Sequence, residues 1–201
     1  MKIMLDCSPA KIHEYRKRYN HDFWQLRTPL TAYARAEGIP YGLDNGCFSK
    51  FEHSTWLRLV QEAQLDKPVF VTLPDVVGSA QRTIELFKHF RFSTCGLPRC
   101  LVLQDGIGNV EIEWHQLDAV FIGGSDDFKI SQEAFQAARC AKIMNKWVHV
   151  GRVNTAKRVK NWLGIADSID GSGISRYDHM LEDVLMEIRG EHPQVQMANI
   201  L

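Results

Sequence analysis

An α/β barrel is the fold class this sequence predicts, on three observations. Short apolar runs alternate with helix-like segments, no glycine-rich turn follows the first run, and polar or glycine residues close nearly every run. The first strand is read at "KIML" (2–5), and Ser8 followed by Pro9 has the form of a cap and first turn for "SPAKIHEYRKR". The rest of 8–38 is irregular. Strands are then read at "YGL" (41–43), "VFVTL" (69–73), "CLVL" (100–103), "AVFI" (119–122), "WVHV" (147–150) and "DSI" (167–169). Helices are expected over 54–65, 79–91, 131–144, 155–163 and 178–188. In the second of these, Ile84, Leu86, Phe87 and Phe90 share a face while Gln81, Arg82, Glu85 and Lys88 point away, as in a helix lying on a sheet. The span 106–118 is irregular. No eighth strand is apparent unless "VQMA" near the C-terminus supplies it, so the last barrel unit is expected to be incomplete or irregular. With no linker or repeat, residues 1–201 are read as one domain.

Composition narrows the function classes. Lys+Arg 24 balances Asp+Glu 24, so no overall field draws in nucleic acid, and any such contact must come from local basic clusters. The five cysteines are odd in number and scattered, and the Met1 end lacks the apolar run of a signal peptide, which predicts a reduced, cytoplasmic protein. No stretch approaches the roughly 20 apolar residues of a membrane span.

An open doubly wound sheet and a closed barrel both carry their chemistry at the carboxyl ends of strands. The first strand here runs into "DCSPAK", without GxGxxG, and a P-loop is missing. Instead, Asp44, Asn45 and Gly46, then Asp75, then Gln104, Asp105 and Gly106, then Gly123 and Gly124, then Gly151 and Arg152, then Asp170 and Gly171 each follow a strand. Any one of these is most often a turn or cap. Together they place Asp44, Asp75 and Asp170 at one rim, where mutual repulsion calls for a compensating purpose. Metal binding is the weakest purpose, since His149 is the sole strand-end histidine and no HxH or CxxC accompanies it. Glycosidic chemistry needs a charge-stabilising carboxylate and a second acid. Purine recognition adds an aromatic to stack and groups to read the edge, which Phe48, Gln104 and the N–H groups of Gly123 and Gly124 offer.

Six segments, in order, carry a family resemblance: "LDNGCFS", "LPDVVG", "LVLQDG", "FIGGS", "VHVGRV" and "DSIDGSGISR". They resemble the strand-end segments of the tRNA-guanine transglycosylases, over roughly residues 41–176. The resemblance implies a compact TIM-like (β/α)8 barrel. It makes Asp170 the nucleophile at C1′ of the nucleotide and Asp44 the general acid/base for the departing and arriving base. Asp75 would take the N1 and 2-amino edge, Gln104 and the Gly124 amide the exocyclic oxygen, and Phe48 the face. Gly123 would permit close approach, and Val150 and Gly151 would line the opposite wall. The family's cysteine-histidine zinc cluster has no counterpart, because no cysteine follows Cys140, so no cofactor is expected. Compact, phage-type relatives place 7-deazaguanines into DNA, and the shortness of this chain is similar to theirs. DNA is therefore expected over tRNA, with guanine or a 7-deazaguanine as the base, in the host cytoplasm for a phage protein, and a homodimer is an expectation of the resemblance.

Two basic clusters are candidates for polynucleotide contact: Lys11, Arg16, Lys17, Arg18 and Arg27 among Tyr15, Tyr19, Phe23 and Trp24, and Arg152, Lys157, Arg158 and Lys160. Their alternative is a solvated helix face over buried aromatics. Arg152 and Arg176 are candidates for a phosphate contact. The alternatives to base exchange are hydrolysis of a purine or 7-deazapurine nucleoside and a non-catalytic base-binding subunit.

Overall fold

Eight parallel strands close into a barrel in chain order in the computed structural model, which describes residues 1–31 and 33–191. The strands are β1 (Lys2–Leu5), β2 (Trp24–Arg27), β3 (Tyr41–Leu43), β4 (Phe70–Thr72), β5 (Arg99–Leu103), β6 (Ala119–Ile122), β7 (Trp147–Val150) and β8 (Ser168–Asp170). The barrel closes where β1 pairs with β8, Ile3 opposite Ile169 and Met4 opposite Asp170. All seven strands read from the sequence are present. The eighth is β2, not "VQMA", which lies outside the described residues.

The reason β2 was hidden lies in its outward side chains. Gln25 and Arg27 are both met by partners far along the chain: Gln25 donates to the Ala34 carbonyl (2.8 Å) and accepts from the Ala36 N–H (2.9 Å) in the following connection, which has no α-helix, while the Arg27 guanidinium pairs with Glu62 (3.0 Å). A strand that buries polar side chains in this way shows no apolar run. The other unit without an α-helix joins β5 to β6 through two short 3-10 turns.

The helices are α1 (Pro9–Tyr19), α2 (His53–Glu62), α3 (Ala80–Phe90), α4 (Gln132–Ile143), α5 (Ala156–Trp162), α6 (Ser172–Arg176) and α7 (Asp178–Arg189). Ser8 caps α1 by accepting from the Lys11 N–H (3.4 Å), Ser131 caps α4 through Ala134 (3.1 Å) and Thr155 caps α5 through Arg158 (3.3 Å). Helix α4 buries Ala134, Ala138 and Ala141, small residues at helical spacing that let its backbone lie close to the barrel.

Strand parity sorts the core into two layers. Ile3, Leu5, Leu101, Leu103, Val120, Ile122, Val148, Val150 and Ile169 point outward and pack under the helices. Met4, Leu26, Phe70, Cys100 and Ala119 fill the inside, with Trp24 and Trp147 stacked (5.5 Å between centroids) towards the strand starts. Gly42 is required here: a Cβ would come 2.5 Å from the Phe70 ring. The same parity carries the inward series up each strand, from Met4 to Asp6, Gly42 to Asp44, Val102 to Gln104 and Ser168 to Asp170. These last members form the floor and walls of the site.

Candidate active site

A cavity of about 350 Å³ opens at the carboxyl ends of the strands, at the small end of the range for ligand pockets. Asp44, Asp75, Asp170 and Gln104 all line it, as do Gly123, Gly124, Phe48, Arg152 and Arg176. The strand-end residues are therefore brought together.

Asp44 follows β3, and among the described residues its carboxyl is met by local backbone, the Asn45 N–H and the Gly46 N–H at 3.4 Å. Burial and then the charge of Asp170 push it up to about 7; the N–H groups of Asn45 and Gly46 pull the other way and Asp75 adds to the rise. A carboxyl so placed is a proton carrier at neutral pH.

Asp75 is held differently. Asn45 donates to one of its oxygens (2.8 Å) and Gln104 to the other (2.5 Å), while burial outweighs these donors and raises the carboxyl above its usual range. Asn45 also donates to the Leu73 carbonyl (2.6 Å) and accepts from the Cys47 N–H (2.8 Å), so it braces the β3 loop against the end of β4. The Gln104 oxygen accepts from the Gly78 N–H (2.9 Å). Cys47 adds a third side-chain hydrogen bond to the Asp75 carboxyl, and the lone pair that these donors leave is open to an N–H donor from a ligand.

The two glycines after β6 have separate tasks. The Gly123 N–H donates to the Leu103 carbonyl (3.0 Å), so it is not the free donor expected; its value is steric, since a Cβ would lie 2.6 Å from Val102 and 3.0 Å from the Gln104 amide nitrogen. Gly124 has φ 70° and its N–H donates to no described residue. Its carbonyl accepts from Arg152.

Asp170 ends β8. His149, fully buried inside the barrel, meets one of its oxygens at 3.0 Å. Gly151 leaves room for that oxygen, which would be 3.2 Å from a Cβ. Val150, expected on the base-facing wall, is corrected: it points outward into the helix layer, and parity gives the inward place on β7 to His149. The "GSG" after Asp170 is close-packed, because the Asn154 oxygen accepts from the N–H groups of Gly173 (2.7 Å) and Ile174 (3.2 Å), and a Cβ at Gly171 would be 2.2 Å from it.

Cations balance the acids. Lys129, 5% exposed, lines the cavity and donates to the Gly151 carbonyl (2.6 Å). Burial, then Arg152, pulls it down to about 7, against Asp170 and Asp126. Arg152 has a left-handed φ of 60° and lays its guanidinium 4.1 Å from the Phe48 ring centroid, so loops after β3 and β7 meet across the mouth. Arg176 is exposed at the rim.

Sequence reasoning missed Asp6, Asn45, Lys129 and His149 as site residues. Asp6 lines the cavity, accepts from Thr31 (2.6 Å) and is raised by burial. Parity was the signal that would have found Asp6 and His149, each in step with inward Met4 or Trp147. Lys129 carried no such mark, since it reaches the cavity from a 3-10 turn.

The basic clusters are largely engaged within the chain. Arg16 pairs with Asp22 (2.8 Å), Arg18 with Asp178 (2.7 Å) and Arg27 with Glu62 (3.0 Å), over buried Tyr15 and Phe23. Trp24 packs inside the barrel. In the second cluster Arg158 pairs with Asp126 (2.6 Å), and Lys157 and Lys160 are exposed. Among the described residues no group of three His, Cys, Asp or Glu side chains is placed to hold a metal. No described helix is long and apolar enough to cross a membrane.

The architecture defines a (β/α)8, TIM-barrel protein. A chain from the tryptophan synthase α2β2 complex of the hyperthermophile Pyrococcus furiosus is similar in fold, with TM-score 0.59 over 94% of this chain and 97% of that one. At 13% identity that likeness concerns the fold alone. No protein-family model and no curated protein matches the sequence.

Proposed function

We propose that the protein is a base-exchange transglycosylase, replacing guanine in nucleic acid, DNA in preference to tRNA, with a 7-deazaguanine. The observation that carries this reading is a single cavity in which Asp44, pushed up to about 7, shares its walls with Asp170. Asp44 can take up and release a proton near neutral pH, and Asp170 ends β8, three strands round the same barrel mouth, which supports the division of labour that glycosidic exchange needs.

In the first half-reaction an Asp170 oxygen bonds to C1′ as the C1′–N9 bond breaks, and the electron pair leaves with guanine, which takes the Asp44 proton. In the second, N9 of the incoming base attacks C1′, its proton passes to Asp44 and the Asp170 ester bond breaks. Asp75 suits the N1 and 2-amino hydrogens, because a buried carboxyl gains from N–H donors that a base without that edge cannot supply. Gln104 and the Gly124 N–H serve the exocyclic oxygen, and Phe48 with Arg152 offers a stacking surface at the mouth. Arg152 and Arg176, which line the cavity, are the cations offered to a phosphate of the target nucleotide.

The test is incubation with labelled 7-deazaguanine and, in parallel, DNA, tRNA and free nucleosides. Label should enter DNA and be abolished by Asp170→Ala. Free base released without incorporation would replace exchange with hydrolysis; incorporation that survives Asp170→Ala would refute the nucleophile.

A further inference from the structure

We propose that His149 is a positioning residue for Asp170, aimed by a one-way hydrogen-bond chain that runs from Trp147 through Ser168 to the imidazole. The proposal rests on the glycosyl-aspartate reading above and adds to it the group that governs how readily the Asp170 ester forms and breaks.

His149 is 0% exposed, with its ring centroid 5.1 Å from that of Phe70 and 4.6 Å from that of Phe121. An imidazole in such surroundings is costly unless both nitrogens are paired. Both are: Nδ1 lies 2.8 Å from Ser168 Oγ, and Nε2 lies 3.0 Å from Asp170 Oδ1. The direction of the chain follows from its first member. The Trp147 indole N–H can only donate, and it donates to Ser168 Oγ (2.8 Å). The Ser168 hydroxyl hydrogen is then best spent on Nδ1, which accepts it. Nε2 therefore carries the hydrogen, and it donates to Asp170. The opposite tautomer would aim an Nε2 lone pair at a carboxylate and leave the buried hydroxyl hydrogen without an acceptor.

Sequence and sheet register build this chain. Trp147 and His149 are alternate residues of β7, Ser168 and Asp170 alternate residues of β8, and His149 is registered opposite Ser168. All four point inward, so the string "WVHV" with "DSID" specifies the relay without help from a loop. A donor pinned to Oδ1 fixes the plane of the carboxylate and leaves Oδ2 as the attacking oxygen.

The chemical consequence is a bias between two states. The His149 N–H bonds most strongly to the free, negatively charged carboxylate and more weakly to the same group once it is an ester at C1′. It therefore favours departure of Asp170 from the sugar. Without it, the covalent adduct is favoured relative to free enzyme. A residue that merely fills space would not move that balance.

Three variants test this: His149→Phe keeps the ring and removes the N–H, His149→Gln supplies an amide N–H of similar reach, and Ser168→Ala removes the group that sets the tautomer. The readouts are the fraction of protein covalently bound to substrate on a denaturing gel, kcat, and KM for the incoming base. His149→Phe should raise the adduct fraction and lower kcat by about 10- to 100-fold with KM nearly unchanged, and His149→Gln should restore most of both. Nitrogen NMR of the wild-type ring should report hydrogen on Nε2. An Nδ1–H ring overturns the proposal, as does a folded His149→Phe with wild-type adduct fraction and kcat. Should that variant fail to fold, a folded Ser168→Ala with wild-type adduct fraction and kcat overturns it. A wild-type protein that forms no adduct refutes the Asp170 reading and this proposal with it, whereas a wild-type adduct with unchanged variants refutes the His149 role alone.

Discussion

Asp44→Asn should make this protein more stable at pH 8 while abolishing base exchange. The Asp44 carboxyl moves from an ordinary 3.8 to about 7 on folding, chiefly through burial and secondly through the charge of Asp170. At 1.36 kcal/mol per pH unit, the charged form destabilises the folded state by about 4 kcal/mol as an upper value. Because the folded state binds this proton more tightly than the unfolded chain, the destabilisation is absent below about pH 4, grows as pH rises to about 7 and is flat above. Asparagine keeps the shape and an acceptor for the Gly46 N–H, and it offers an amide donor to a neighbouring carboxylate. A gain of about 2–4 kcal/mol at pH 8, or roughly 5–10 °C in melting temperature for a chain of this size, is expected. Urea unfolding at intervals from pH 4 to pH 8.5, wild type against variant, is the assay. The gap should close towards pH 4. A variant no more stable than wild type at pH 8, or a gap that persists unchanged at pH 4, would refute the electrostatic account of Asp44.

Lys129→Met should show the opposite pH course: Lys129 is pulled down to about 7 from 10.5, so its charged form destabilises the fold below about 7 and the difference from wild type should vanish towards pH 10.5, as followed by thermal melts. Asn45→Ala removes the donors to Asp75 and to the Leu73 carbonyl; a loss of about 1–3 kcal/mol and weaker base binding are expected, read by denaturation and by titration with guanine. Gly42→Ala drives a methyl to 2.5 Å from the Phe70 ring and should cost about 1–3 kcal/mol, with Phe70→Leu in the same chain recovering part of it in urea unfolding.

How much was legible in the sequence follows from where each residue's signal is kept. Seven strands were visible because their outward residues are apolar, as with Val120 and Ile122 under α4. Strand β2 was not, because Gln25 and Arg27 are paired with loop and helix partners that only the folded chain supplies. Asp44, Asp75, Gln104 and Asp170 were found from turn chemistry at strand ends. Val150 was misplaced by reading a motif instead of counting alternate residues, and the same count would have put His149 beside Asp170. Lys129 and the Phe48–Arg152 contact join segments far apart in sequence, and no local pattern announces them.

The assignment of acid and base can be reasoned from how each carboxyl is compensated. Four aspartates line one cavity, and like charges cannot all be held there at equal cost. Asp75 receives two side-chain amides, Asp6 a threonine hydroxyl, and Asp170 the His149 N–H. Among the described residues Asp44 alone of the four has no side-chain donor; it has the N–H groups of its own turn, and it faces the charges of both Asp170 and Asp75. When one carboxyl of the group must take up a proton, the least compensated one does so. For the proposed exchange, that assigns the mobile proton to Asp44 and leaves Asp170 for the bond to carbon. The same reasoning makes the roles separable: a donor introduced beside Asp44 would lower its proton affinity and impair proton transfer while leaving adduct formation on Asp170 less affected.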